Sequence, residues 1–231
     1  MKRAVIILAI LSAFGVRRLA AACPARADVT GIPLIELSAS KPSNRFAIML
    51  TGDGGWRRID RKVTDDLRNA GIPVVGFLTN DYFGTRRTAD ESGCALERVI
   101  RYYKLAWKKD KVILIGYSRG ADVLPFMASR LPDDLRPSVQ LIALLGLEPN
   151  IDFKYRPFWM LHFHREPQFP VRPEVEKLRG QNVVCVYGER ESDSLCPQLD
   201  PAAFKLVREP GSHHFAGEYK SVAAVILREA R

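Results

Sequence analysis

KVILIGYSRGADVLP, residues Lys111 to Pro125, decides how the chain reads. Val112, Ile113, Leu114 and Ile115 form an apolar, largely β-branched run of the kind buried inside a sheet. Gly116-Tyr117-Ser118-Arg119-Gly120 follows, and then a helix-like segment. G-x-S-x-G between a strand and a helix is the nucleophile-elbow pattern. The glycines let the backbone turn sharply, so that the serine hydroxyl stands clear above a helix N-terminus, where free N–H groups favour developing negative charge. Ser118 is therefore the candidate nucleophile.

Outward from this stretch, strands and helices alternate. Ile35–Leu37 reads as a short edge strand and Phe46–Leu50 as a buried strand, followed by the Gly-rich turn Thr51-Gly52-Asp53-Gly54-Gly55-Trp56. An amphipathic helix over 60–70 ends at Gly71, and Pro73–Leu78 is the next strand. A long helix over 89–108, capped by Asp90, carries Leu96, Val99, Ile100 and Tyr103 on one face. Further strands are expected at 112–116, 139–146 and 182–187, with helices at 119–130, 173–179 and 216–229. Residues 204–207 are a short apolar stretch, and Glu148 to Pro173 is a long irregular insertion rich in aromatics and prolines. Continuous apolar strands alternating with helices predict an α/β fold: a mostly parallel central sheet with helices on both faces.

Ligands of such sheets bind beyond the carboxyl ends of the strands. The loops expected there hold Gly188-Glu189-Arg190-Glu191-Ser192-Asp193 and Pro210-Gly211-Ser212-His213-His214-Phe215. Serine, acid and histidine thus follow the order of an α/β-hydrolase triad. A serine hydroxyl needs an imidazole to take its proton, and the imidazole needs a carboxylate to fix its tautomer. His213 is the expected base, with His214 as the alternative. Asp193 is the expected acid, with Glu191 as the alternative. The glycine turn sits where an oxyanion loop belongs, so Gly54 and Gly55, together with the N–H of Arg119, are the expected oxyanion donors. Asp53, Trp56 and Tyr117 flank these positions as candidate substrate contacts, and Asp122 is expected to complement the first turn of its helix. His162 and His164 have no third ligand nearby, so no metal site is expected, and no cofactor. The glycine turn lacks the Lys-Ser/Thr ending of a nucleotide-binding loop.

Lys2 and Arg3 precede an apolar run from Ala4 to Val16, too short to span a bilayer and shaped like the core of a signal peptide. Ala25-Arg26-Ala27 offers a small-x-small cleavage site, dividing the chain into a signal peptide, 1–27, and a single domain, 28–231. Ala20-Ala21-Ala22-Cys23 is a rival site and a poor lipobox; a retained anchor is the third option. The expected location is the periplasm. The net charge of +9 falls to about +4 without residues 1–27, which suits a peripheral encounter with anionic lipid headgroups and falls far short of a nucleic-acid footprint. Of the four cysteines, Cys23 would leave with the signal peptide, Cys185 and Cys196 are expected to form a disulfide in an oxidising compartment, and Cys94 is expected to be unpaired.

GDGGW at 52–56, Tyr82-Phe83 followed by an Arg-Arg-Thr segment, GYSRGADVLP at 116–125, Asp193-Ser194-Leu195-Cys196-Pro197 and PGSHHF at 210–215 form a specific set. Together they resemble the VirJ/AcvB virulence-protein family, from about residue 45 to the C-terminus. One departure stands out: residues 76–81, Gly-Phe-Leu-Thr-Asn-Asp, replace the Asp-Ser-Leu-Arg expected before Tyr82. The resemblance implies export, an α/β-hydrolase fold and hydrolysis of an aminoacylated phospholipid, lysyl-phosphatidylglycerol. It also implies a role beside type IV secretion-system proteins. A generic esterase, or a binding module with a vestigial serine site, is the alternative function.

Overall fold

The stretch Lys111–Tyr117 forms β4, the strand on which the rest of the sheet is hung. The computed structural model describes Cys23 and residues 28–157 and 168–231. Before β4 come β1 (Leu34–Leu37), β2 (Arg45–Leu50), α1 (Arg58–Asn69), β3 (Val74–Phe77), α2 (Thr79–Phe83) and α3 (Ala89–Ala106). After it come α4 (Arg119–Ala128), β5 (Val139–Leu145), β6 (Asn150–Ile151), β7 (Phe169–Pro170), α5 (Arg172–Glu176), β8 (Val183–Gly188), β9 (Lys205–Glu209) and α6 (Tyr219–Glu229). The main sheet has seven strands in the order β1-β3-β2-β4-β5-β8-β9. β1 runs antiparallel to β3, and the remaining pairs are parallel.

Period-two alternation persists inside the continuous apolar runs, because both faces of the sheet are covered. Phe46, Ile48 and Leu50 of β2 and Val112 and Leu114 of β4 face Leu96 and Ile100 of α3 and Val123 and Met127 of α4. Ala47, Met49, Ile113 and Ile115, one residue out of step, face Ile59, Val63 and Leu67 of α1 and Val222 and Ile226 of α6. A one-residue slip would exchange the two sets wholesale, so the core itself fixes the register.

From β2 the chain moves outward to β3, then returns to place β4 on β2's other side. The order reverses between β2 and β4, and the crevice beyond their carboxyl ends is where such sheets bind ligands.

Several local expectations are corrected. The α3 cap is Thr88, whose hydroxyl accepts the Glu91 N–H, while the Glu91 carboxylate accepts the Thr88 N–H in return. The apolar stretch near 204–207 is a full edge strand, β9, paired with β8. Within the segment read as irregular, β6 and β7 pair antiparallel. Cys185 and Cys196 are bridged as expected, but Cys94 is not unpaired: it is bonded to Cys23. His162, His164 and all of the expected signal peptide 1–27 except Cys23 lie outside the described residues. Among the described residues no helix is long and apolar enough to cross a membrane.

Candidate active site

Ser118 follows β4 directly and begins the turn into α4, with φ 53° and ψ −126°. A residue bearing a Cβ is strained there, at a cost on the order of 1–3 kcal/mol, so the surroundings must impose the conformation. The two flanking glycines allow it by removing side chains from a crowded crossing. A Cβ on Gly116 would lie 2.3 Å from the Gly120 carbonyl oxygen, and one on Gly120 would lie 2.2 Å from that of Leu50. The elbow is thus wedged between β4, α4 and the end of β2.

His213 sits on the turn between β9 and α6, and its Nδ1–H donates to Glu191 Oε1. Glu191 lies in the turn after β8 and is almost wholly buried, and its second oxygen accepts the Gly188 N–H at 3.0 Å. Both carboxylate oxygens are therefore fixed. Burial alone would lower the His213 pKa, but the hydrogen bond and charge of Glu191, helped by Glu148 and Asp193, leave it above the ordinary histidine value.

The expected acid Asp193 is corrected. It is exposed two residues further along the loop, while the tight turn in which the Glu191 N–H donates to the Gly188 carbonyl folds Glu191 inward beneath the imidazole. Between the two histidines, His213 holds the carboxylate, whereas His214 Nδ1 shares a 2.6 Å hydrogen bond with the Tyr117 hydroxyl. Burial raises the Tyr117 pKa, keeping it a neutral phenol. Tyr117 thus braces the histidine turn from beneath, and its ring lies 5.4 Å from that of His213.

The glycine turn borders Ser118, but one of the two expected donors, Gly55, is not free. The Gly55 N–H is already donated to the Gly52 carbonyl at 2.9 Å, which closes a turn and removes it from the set of oxyanion donors. Gly54 and Asp53 line the same cavity as Ser118, and Arg119 opens α4, where a first-turn amide has no intrahelical acceptor. Trp56 does not reach the cavity. Its ring packs on β3 at Gly76, where a Cβ would lie 2.5 Å from Cζ3, so this tryptophan anchors the loop to the sheet.

Two cavities meet at Ser118. The larger, about 490 Å³, contains Ser118, His213 and His214, with Arg57, Arg58 and Tyr219 opposite. The smaller, about 150 Å³, is walled by Asp122, Glu148, Asp152 and Arg119. Arg119 is paired there with both Asp53 and Asp152, so the Asp53 carboxylate is already engaged. Asp122 does more than complement a helix: it is buried, accepts the Glu148 N–H at 2.7 Å, and burial drives its pKa well above the usual carboxylate range. Burial also raises Glu148, with the charge of His213 opposing.

Sequence reasoning missed Glu148, Asp152, Arg57 and Arg58. Glu148 lies just past β5, at the sheet edge where ligands bind, and that position was its available signal. Among the described residues no group of three or more His, Cys, Asp or Glu is placed to hold a metal ion.

Solved structures share this architecture. Est1E from Butyrivibrio proteoclasticus aligns with a TM-score of 0.59 at 16% identity, covering 87% of this chain and 96% of that one. MenH from S. aureus aligns with a TM-score of 0.60 at 14% identity over 85% and 98% of the two chains. An alpha-beta serine hydrolase homologue from Coxiella burnetii gives 0.59 at 14% identity, over 84% and 89%. At such identities the likeness establishes the α/β-hydrolase fold. No curated protein matches the sequence. Residues 44–231 match the family model described as bacterial virulence protein (VirJ). That match spans most of the chain, from β2 to the end of α6, and takes in every residue that lines the Ser118 cavities: the protein belongs to the VirJ family.

Proposed function

We propose that this protein is an exported serine hydrolase that cleaves an aminoacyl ester, with lysyl-phosphatidylglycerol as the favoured substrate. The observation that carries the reading is one cavity holding a strained elbow serine and a histidine bonded to a buried carboxylate. His213 takes the Ser118 proton as Oγ attacks the ester carbonyl, and Glu191 stabilises the resulting imidazolium. The N–H of Arg119 and an amide of the Asp53–Gly54 turn receive the oxyanion. His213 then protonates the departing alcohol oxygen, and a water activated by the same imidazole releases the amino acid and restores the serine.

The acyl side fits a cationic group. Glu148 lines the smaller cavity without a described ion-pair partner, whereas Asp53 is held by Arg119. Selection of the lysyl ammonium is thus assigned to Glu148. Export is supported by the charged, apolar N-terminal sequence and by two disulfides, which persist in oxidising compartments. In that setting the mildly basic domain meets anionic lipid at a membrane surface and works beside secretion-system proteins.

The test compares kcat/KM for lysyl-phosphatidylglycerol with that for neutral short-chain esters, in wild type and Glu148→Gln. The expected result is a preference for the lysyl lipid that falls roughly 10- to 100-fold in the variant. Equal or better turnover of the neutral esters, unaffected by Glu148→Gln, would leave a generic esterase.

A further inference from the structure

We infer that Arg57 and Arg58 form an anion subsite for a phosphodiester carried by the alcohol half of the substrate. The inference rests on the serine-hydrolase reading of Ser118 but not on the identity of the acyl group. Ser118 lines both cavities, so a bound ester places its carbonyl at their junction and sends its two halves in opposite directions. His213 lines the larger cavity alone, and His213 is the group that must protonate the leaving oxygen. The alcohol therefore departs through the larger cavity, and the acyl group occupies the smaller, acidic one.

The wall of the larger cavity is basic. Among the described residues neither Arg57 nor Arg58 is held in an ion pair, and the one acid on the lining, Asp53, is bonded to Arg119. Arg57 Nε donates to the Gly54 carbonyl at 2.5 Å, which pins that guanidinium against the turn beside Ser118. The Arg57 N–H donates to Asp60 Oδ2 at 2.8 Å, fixing the main chain at the start of α1, from which both exposed arginine side chains project. Guanidinium groups bind phosphate oxygens in paired hydrogen bonds and are the side chains best suited to a phosphodiester. Ile59 and Tyr219 give the same cavity an apolar flank for the carbon skeleton around that phosphate.

The probes are O-acetyl and O-lysyl esters of glycerol, the same esters of glycerophosphoglycerol, and lysyl-phosphatidylglycerol in vesicles. Wild type is expected to prefer the soluble phosphodiester over the glycerol ester by roughly tenfold or more in kcat/KM, within either acyl series. In Arg57→Gln/Arg58→Gln that ratio is expected to collapse to within about twofold of unity. In parallel, calorimetry of glycerophosphoglycerol on Ser118→Ala should show binding that weakens roughly tenfold when both arginines are replaced. A ratio near one in wild type, or one that survives the double substitution, overturns the subsite. An arginine effect seen with vesicles and not with soluble diesters also overturns it, in favour of bulk attraction to anionic lipid. Loss of every ester hydrolysis together with arginine-dependent binding of glycerophosphoglycerol would sink the catalytic reading while sustaining the subsite.

Discussion

At the residue scale Ser118 and His213 stand out in the sequence through short motifs, G-x-S-x-G and G-x-H-x-F, and the fold brings both to one cavity. The acid was not. Glu191 and Asp193 stand two residues apart, and sequence spacing cannot tell which one a turn folds inward. Burial decides: Glu191 has both oxygens engaged, and Asp193 is exposed. This choice predicts a pH profile. In the proposed mechanism His213 must be neutral to accept the serine proton, and Glu191 raises its pKa above the ordinary value. The acid limb of kcat/KM should therefore rise with pH through a midpoint above about 6.5. Glu191→Gln removes the charge, so the midpoint should shift toward lower pH while the rate at the plateau falls on the order of 10³-fold or more. A midpoint that Asp193→Asn lowers and Glu191→Gln leaves in place would restore Asp193 as the partner. The same raised pKa contributes stability that is fully present below the unfolded value and is lost as pH rises through the folded one.

At the scale of elements, the apolar strands were readable since each is a continuous run bounded by turns, and the pairing of β4 with its neighbours follows from parallel crossovers. The edge strand β9 escaped notice because its Lys205, Arg208 and Glu209 break the apolar pattern, as charges on edge strands commonly do. The α3 cap was misplaced by two residues because Thr88 and Asp90 are both good cap formers; the reciprocal bonds with Glu91 select Thr88. Gly146, directly after β5, shows how an element shapes the site without chemistry of its own. Its φ is +64°, and a Cβ there would lie 2.8 Å from His213 Cε1 and 3.3 Å from Glu191 Oε1. Gly146→Ala should thus push the imidazole off its carboxylate. The expected outcome is a fall in kcat/KM of roughly 100-fold, with destabilisation of only about 1–2 kcal/mol in denaturant melts. An active variant of ordinary kinetics would show that the His213–Glu191 pair tolerates displacement.

Over the whole molecule, the two disulfides sit at separate places: Cys185–Cys196 ties β8 to the loop carrying Glu191, and Cys23–Cys94 ties the N-terminal segment to α3. The second was unreadable because a cleavage site after Ala27 removes Cys23 from consideration, whereas only the folded chain brings Cys23 and Cys94 together. Processing after Ala22 keeps Cys23, and processing after Ala27 discards it. Peptide mapping of protein recovered from cells without reduction should find both linked pairs and an N-terminus at or before Cys23. A mature chain starting at Asp28, with an alkylatable Cys94, would contradict the pairing. The division of charge around Ser118, acidic on one side and basic on the other, was likewise hidden in the sequence, because Arg57 and Arg58 come from the start of α1 and Glu148 and Asp152 from the segment after β5, far apart in the chain. A reactive Ser118 driven by His213 and Glu191 is the centre of the proposed hydrolase. The direct measurement is the rate of covalent labelling by a fluorophosphonate in wild type, Ser118→Ala, Glu191→Gln and Asp193→Asn. One adduct is expected, located on Ser118, absent in Ser118→Ala, formed at least roughly 100-fold more slowly in Glu191→Gln and within about threefold of the wild-type rate in Asp193→Asn. Folded wild-type protein that takes no label, or labelling that Ser118→Ala leaves intact, would contradict it.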